Sequence, residues 1–506
     1  ILSGDGSAQT AFLNVAFPIT VEDLELEDGS AASTPSGSGG DLDDEPTSTN
    51  ATLTVQDVLV LDGQAADGGG IYFGQGSTLR IVDSEIVDNS IPSTLATASG
   101  YGAGLFTEAD SETEILRSTV SDNSDDGGPG EEGGGAGISN SGADLFIQDS
   151  TIAGNTCSSV CNGTALRVGL GTSHIFGGTI AASSANASSA LYAGSDTELE
   201  IGGSIVTGNA DYECAVNSAP TAGQIVDEGY NVADDTTCGF SGTSHQGLSD
   251  QAVGLGPLTE NGGATPTMQV TSSSAAYDIV PTGKQLSHDD TDFCSRYDER
   301  GMDRAQTRAS ACSAGAYQFA PPSLSLVVPS SDEAGRTVTI AGSNLQYALV
   351  TFGSGDAPGT VTSPSPTEIT ATVPILGPGS QPITVTNADG SAQLPFTLLA
   401  NPQVTTASLP DAERGVAYTG QLDASGGAPP LTWTASSPLP AGLTLSANGV
   451  IAGTPTAAGG PFDVAVSDSN GVTANQSLQI TVVPAVAIVT SSLRSAVAGV
   501  PYGADL

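Results

Sequence analysis

Five residues in the first 150 positions occupy one place in a repeated pattern. Asp23, Asp57, Asp83, Arg117 and Asp149 each stand six residues before a small polar corner at 29, 63, 89, 123 or 155. If successive repeats stack as β-coils, about 4.8 Å apart, Asp23, Asp57, Asp83 and Asp149 form a column of carboxylates. Such a column could hold cations or sugar hydroxyls, and Ca²⁺ is the only cofactor it suggests. The plainer alternative is an exposed strand face whose Asp residues cap bends, with Arg117 paired to Asp83 and Asp149 across the coils. Two kinds of polysaccharide chemistry were weighed. A glycosidase needs two carboxylates roughly 5–9.5 Å apart, which one column could supply. A lyase needs Ca²⁺ carboxylates and a basic group to abstract a proton. The repeats offer only Arg80, Arg117 and Arg167, and Arg80 lies nine residues before its corner rather than six. No residue is assigned a catalytic role, and the chain is expected not to be an enzyme.

The six cysteines fall into local pairs, Cys157 with Cys161, Cys214 with Cys238 and Cys294 with Cys312. Short loops close at least entropic cost, so these pairings are expected as disulfides in an oxidising compartment. His174, His245 and His288 are scattered and form no zinc pattern with them. The acidic stretches Asp41-Leu42-Asp43-Asp44-Glu45, Glu108 to Glu114 and Asp125 to Glu132 read as solvated loops. Calcium ligation is the sharper reading of those loops, but they match neither an EF-hand nor a GGxGxDxUx spacing.

The elements that would position these residues follow from self-similarity. An apolar run ending in a small polar corner recurs as ITVEDLELEDG, LTVQDVLVLDG, LRIVDSEIVDN, EILRSTVSDN, LFIQDSTIAGN, HIFGGTIAAS and LEIGGSIVTGN, with corners at 29, 63, 89, 123, 155, 183 and 209. A second motif starts at 70, 104, 137, 165 and 190, always 18 or 19 residues before the next corner. Two strands and a turn of fixed length, joined by a connection of variable length, predict a right-handed parallel β-helix over 1–210. Inside positions are expected at Ile81, Ile86, Ile115, Val120, Ile147, Ile152, Leu199, Ile201 and Ile205. Asn89, Asn123, Asn155 and Asn209 recur at one corner, where Asn could adopt the left-handed conformation and stack between coils.

Composition agrees. The 506 residues include 65 Gly and 29 Pro, which disfavours helices. Lys+Arg is 11 against 56 Asp+Glu, a net charge of −45. That balance excludes nucleic-acid partners, which demand cations, and docking on anionic membranes. No run of 18 apolar residues marks a membrane span. Such acidity suits solubility in salt and says nothing of mechanism.

Residues 211–320 form a closing segment. They carry Gly256-Pro257-Leu258, Asn261-Gly262-Gly263, Thr265-Pro266-Thr267, Asp298, Arg300-Gly301, Cys312 and Gly315-Ala316-Tyr317. In these motifs the chain resembles bacterial surface proteins of the choice-of-anchor Q type. The resemblance implies a secreted, exposed protein with no common enzymatic activity, and a Cys294–Cys312 bridge tying a cap over the end of the solenoid. Residues 321–400, with RTVTIAG, LVTFGSG, EITATVP and PITVTNADG, resemble an IPT/TIG domain. Residues 401–483 resemble a PIG-type Ig domain through Gly415-Val416-Ala417-Tyr418, Gly426 to Pro430, Leu439 to Leu443 and Gly453-Thr454-Pro455. Trp433, the only tryptophan, is expected in that core. Residues 484–506 restart the same pattern at Ala498 to Tyr502 and read as the start of a further PIG-like domain, so the natural chain is expected to continue.

The expected fold is therefore all-β, a parallel β-helix followed by tandem Ig-like sandwiches. The expected role is an extracellular, cell-surface structural or adhesion protein whose partners are surface glycans, other surface proteins or further copies of itself. A self-assembling filament or surface-layer subunit is the first alternative, and a β-helix polysaccharide lyase or hydrolase the second.

Overall fold

The structure, a computed structural model, describes the chain except residues 5, 7, 14–15, 32–37, 45–50, 95–100, 127–133, 159–160, 185–187, 210–211, 219–220, 287–288, 307–309, 355–356, 486–491, 493 and 504–506. It comprises two compact units, residues 1–322 with 387–390, and residues 323–386 with 391–506.

In the first unit the repeats stack as three main parallel sheets, one of nine strands and two of eight, with a short parallel sheet of three strands beside them. The nine-stranded sheet holds the three-residue strands, among them Glu25–Glu27, Leu59–Leu61, Glu85–Val87 and Thr119–Ser121. Their middle residues align in register, with Leu26 opposite Val60, Val60 opposite Ile86, Ile86 opposite Val120 and Val120 opposite Ile152. This column points inward, and every member is at most 1% exposed. The sheet of longer strands adds two inward columns that include Leu79, Leu145 and Leu199, and Ile81, Ile115, Ile147 and Ile201. Aliphatic residues, Leu, Ile and Val, at period two fill the interior and leave the alternate positions facing out.

Ile205 departs from the expected inside list. It is paired with Thr179 in the outward column, and Val206 takes the inside place. Ile205 is nonetheless buried, because the closing segment covers it: Gly315 comes to rest against its side chain. The solenoid also runs further than 210, since Tyr212–Val216, Gln224–Gly229 and Val232–Ala233 complete one more coil.

Short turns bound each strand of the nine-stranded sheet, and both turns use the left-handed region. At one turn Asp23, Asp57, Asp83, Arg117 and Asp149 have φ of 47–54°, and Gly177 and Gly203 follow at 67° and 58°. At the other, Asp28, Asp62, Asp88 and Asp122 have φ of 53–59°. The corner asparagines are thus not the left-handed residues. That conformation falls one position earlier, and the Asn is freed to turn its amide inward. Asn89, Asn123 and Asn155 are fully buried and form a ladder. Asn89 Nδ2 donates to Asn123 Oδ1 at 3.0 Å, and Asn123 Nδ2 to Asn155 Oδ1 at 3.0 Å. Asn209 lies outside this buried run: its Oδ1 accepts from Ser183 N at 2.9 Å, and its amide donates to Thr207 O at 3.2 Å and to Glu213. A serine ladder lines the first turn, with Val58 N, Ser84 N and Ser118 N donating to Ser84, Ser118 and Ser150 Oγ of the next coil at 3.1–3.2 Å.

The last coil is covered by the chain around Cys214–Cys238 and Phe240, which join the interior cluster. The segment after 254 does something else. It lies along the outward face of the nine-stranded sheet rather than across the solenoid's end. Phe293 sits against Gly177 and Gly203, where a Cβ would approach its ring to 3.0–3.1 Å. Ala316 N donates to Thr179 Oγ1 at 2.9 Å, and Gly315 N to Gly203 O at 2.8 Å. The Cys294–Cys312 bridge is buried beside Phe293 in this lateral layer. The expected end cap is therefore corrected to a side cover, because large apolar residues of the segment need the flat face that Gly177, Gly203 and Ile205 offer.

The second unit contains two antiparallel modules. In the first, Ser323–Val328, Thr337–Ser343, Glu368–Thr372 and Thr360–Pro364 form one sheet, facing another built on Leu349–Phe352 and Ile383–Asn387. Val338, Ile340, Phe352, Ile369, Val385 and Phe396 fill the space between. In the next module Thr432–Ala435, Phe462–Ser467 and Thr473–Leu478 pack on Tyr418–Gln421, Val450–Gly453 and Leu443–Leu445. Trp433 is 6% exposed within that core. Among the described residues after Val483 there is no strand.

Candidate functional site

The column that opened the sequence reading is real in space but not uniform. Asp23 and Asp57 are exposed at their turns, and Asp83 is half-buried. Arg117 forks onto Asp83, with Nε and one terminal nitrogen each 2.8 Å from a carboxylate oxygen. This bidentate geometry is the strongest form of the pair, and it raises the guanidinium pKa, the Asp83 hydrogen bond first among the causes. Asp149 is no part of an exposed ladder. It is 1% exposed, and its partner is Arg304 of the closing segment, at 2.7 Å. Burial under that segment, not stacking on the column, decides its role.

The exposed acid ladder lies one turn further on. Asp28, Asp62, Asp88 and Asp122 stand at successive coils, all exposed. The carboxyls of Asp62, Asp88 and Asp122 are held above the ordinary range, by desolvation first, with the charges of ladder neighbours adding at Asp62 and Asp88. Its signal is the Asp that precedes each corner in LEDG, LVLDG, IVDN and VSDN, whereas the six-residue offset marks the other column.

Between the two columns runs the open part of the nine-stranded sheet. A groove of about 610 Å³ there is lined by Asp23, Glu25, Asp57, Leu59, Asp83 and Glu85, with Ile1 and Ala264 at its margins. Leu59 supplies apolar floor and the carboxylates supply the walls. Glu85 is pushed up to about 7, chiefly by burial and then by Glu260, Asp88 and Asp122. Such a surface can bind cations, basic side chains or hydrogen-bonding ligands.

The closing segment covers the same sheet from Thr119 onward. Glu299 is buried there and has hydroxyls for partners: Thr119 Oγ1 at 2.7 Å, Thr151 Oγ1 at 2.5 Å and Thr265 Oγ1 at 3.1 Å. Burial drives its pKa well above the ordinary value, against those three donors. Arg300 forks onto Asp298 and donates to Gln318 O at 2.6 Å.

The acidic stretches behave differently from solvated loops. Leu42–Asp44 and Glu112–Leu116 are solenoid strands. Asp41, Asp43 and Asp44 are at most 1% exposed, and burial raises Asp41 to about 7 although Gly29 N and Thr10 Oγ1 donate to it. Glu45 and residues 127–132 lie outside the described residues. Cys157–Cys161 is bonded, as are Cys214–Cys238 and Cys294–Cys312. Asp125 gathers with Cys157 and Cys161 within 4.8 Å, but both sulfurs are committed to their disulfide, which leaves no thiolate to ligate a metal.

Several acids therefore hold protons more tightly folded than unfolded: Asp67 at about 6, Asp41 and Glu85 at about 7, Glu213 at about 9, and Glu299 well above its usual value. Where the native state binds more protons, stability falls as pH rises. The window opens near the unfolded carboxyl pKa of about 4.5 and extends through the folded values of about 6 to 9. The solenoid unit is thus expected to be most stable near pH 5 and to lose about 5 °C or more of melting temperature by pH 8–9. Calorimetry across pH checks this, and a midpoint that rises between pH 5 and 8 contradicts it.

With that geometry in hand, residues 322–398 match the IPT/TIG domain model and residues 400–483 match the family described as Putative Ig domain. No curated protein matches the chain. Solved structures with similarity include titin domains I67–I69 (13% identity, 33% of this chain, 66% of that one, TM-score 0.22). A C-terminal intimin fragment, crystallised with the intimin-binding domain of the translocated intimin receptor, gives 15% identity, 32% and 64% coverage and a TM-score of 0.21. The endo-fucoidan hydrolase MfFcnA4 gives 18% identity, 33% and 30% coverage and a TM-score of 0.19. The chain spans at most 66% of the length of these three. The fold thus defines an all-β protein in which stacked parallel sheets precede IPT/TIG and Ig-like modules. Modules of these kinds are typical of extracellular and surface proteins. Among the described residues no helix is long and apolar enough to cross a membrane.

Proposed function

We propose that the chain is a non-catalytic, extracellular display and adhesion segment. The solenoid presents the acidic groove and its Asp ladder, and the Ig-like modules serve as spacers on the cell surface. The observation that supports this best is the open sheet face between two left-handed Asp columns. It is flat, repetitive and anionic, and so suits a basic or cation-bridged surface protein or glycan better than a small substrate. The resemblance of 1–320 to choice-of-anchor Q type bacterial surface proteins points the same way.

Binding of the purified chain to immobilised basic surface proteins and to glycan arrays with Ca²⁺ tests the reading. The triple variant Asp62→Asn, Asp88→Asn, Asp122→Asn is expected to bind at least ~10-fold more weakly, with steeper loss in the wild type as salt rises. Unchanged binding in the triple variant sinks the Asp ladder as the adhesive face. Turnover of a polysaccharide, lost on Asp83→Asn, would replace the reading with a catalytic one, and ordered polymers in sedimentation would replace it with a filament.

A further inference from the structure

The boundary between the IPT/TIG and Ig modules holds three acids that solvent barely reaches. Glu333 is 1% exposed, Asp468 7% and Asp332 8%. Asp332 ends the short strand Ser331–Asp332 of the first module and Glu333 follows it, ahead of strand Thr337–Ser343, while Asp468 comes from the turn after strand Phe462–Ser467 of the second. Backbone donors satisfy much of Asp468, through Asn470 N at 3.0 Å, Val472 N at 2.9 Å and Ala428 N at 3.0 Å. Asp332 Oδ1 accepts from Glu333 N at 2.9 Å and from Asn470 Nδ2 at 2.8 Å. Glu333 is served poorly. Its Oε2 has only the Asn470 amide at 3.4 Å, and no donor reaches its buried Oε1. The carboxyl also lies within hydrogen-bonding reach of the Asp468 carboxyl. Arg336, the guanidinium beside this cluster, donates to the Asn470 carbonyl instead.

Two carboxyls facing each other in a buried place need a positive charge or a proton between them. A buried carboxyl with one orphaned oxygen, facing a second carboxyl, with a third acid held by the same asparagine, is a set of hard oxygen ligands. We propose that Glu333, Asp468 and Asp332, with Asn470, bind a divalent cation of the calcium class at the joint between the two modules. Oxygen-only ligands, with neither sulfur nor imidazole, favour Ca²⁺ over transition metals. Ligands drawn from both modules would make the ion a clamp on the joint. Without it the joint would keep the Asn470 amide bonds to Asp332 and Glu333 and the Arg336 bond to the Asn470 carbonyl, against a repulsive carboxyl pair.

Trp433 gives a local readout, since it is the only tryptophan and is buried in the Ig module. The experiment follows Trp433 fluorescence during thermal unfolding of the full chain, first in chelator and then in CaCl₂ up to ~10 mM, a range that spans extracellular calcium affinities. The expected result is an upward shift of roughly 5–15 °C in the Trp433 transition. Glu333→Gln keeps the shape but removes the charge, and is expected to lose the shift. Should that variant fail to fold, Asp332→Asn serves the same purpose and is expected to need at least ~10-fold more calcium for the same shift. Cations bound on the solenoid do not move this signal. No shift in the wild type, or an undiminished shift in a folded Glu333→Gln or Asp332→Asn chain, overturns the proposal.

Discussion

Replacing Arg304 by Leu is expected to destabilise the solenoid unit by about 3–5 kcal/mol, the cost of orphaning one member of a buried ion pair. Arg304 is wholly buried and reaches Asp149 at 2.7 Å, Gly315 O at 2.7 Å and Ser313 O at 3.1 Å. Its guanidinium carbon lies 5.1 Å from the centroid of the Phe293 ring. The closing segment and a solenoid turn are thus joined through one charge. With leucine there, Asp149 keeps the Gln148 amide at 3.0 Å and the more distant charge of Arg296, too little to offset a buried carboxylate. Urea unfolding reads the loss, and limited proteolysis should show earlier cleavage within 254–320. Asp149→Asn combined with Arg304→Leu should recover part of the stability, because both charges go together. A loss below about 1 kcal/mol for Arg304→Leu would mean that the segment is held chiefly by Phe293, Ile205 and their apolar neighbours.

How far the sequence could be read has a physical pattern. The repeat period, the parallel stacking and the inward columns through Ile81, Ile115 and Ile147 were legible because each coil buries the same small set of β-branched residues at a constant offset. The seven residues from Asp57 to Gly63 proved to be one left-handed turn, a three-residue strand and a second left-handed turn. Motif spacing marks that unit but does not say which of two adjacent residues takes the positive φ, so the role meant for the asparagines belongs to Asp88, Asp122, Gly154 and Gly208. The Ile205 error has the same root, since a slip of one residue along a strand exchanges inside for outside. The landing place of the closing segment was beyond reach. Its contacts join residues such as Thr119 and Glu299, which lie 180 positions apart, and no local pattern encodes such a pairing. The IPT/TIG and Ig modules, by contrast, carry their turns and core residues within about 80 positions, so their motifs could be recognised whole.

The asparagine ladder shows why one of these slips matters energetically. Had Asn123 been the left-handed residue, its side chain would face solvent and Ala would cost little. Instead Asn123 is fully buried and serves three neighbours. Its Oδ1 accepts from Asn89 N and Nδ2, both at 3.0 Å, and its Nδ2 donates to Ile86 O and Asn155 Oδ1, both at 3.0 Å. Asn123→Ala removes all four bonds and leaves Asn89 N, Ile86 O and Asn155 Oδ1 short of partners in the interior. At about 1–3 kcal/mol for each buried group left unsatisfied, with some relaxation, the expected loss is ~3–5 kcal/mol. Asn209→Ala is the matched control. It gives up the Ser183 N bond and the side-chain amide's bonds to Glu213 and Thr207 O at a partly open corner, and is expected to cost about 1 kcal/mol. Asn123→Asp separates hydrogen bonding from packing. It keeps the shape and the acceptor but cannot donate to Ile86 O or Asn155 Oδ1 while ionised. Burial should raise its pKa, so the aspartate variant should be markedly less stable at pH 8 than at pH 5, beyond any slope the wild type shows. Equal losses for Asn123→Ala and Asn209→Ala would mean that the ladder is decoration on a solenoid held by its apolar columns alone.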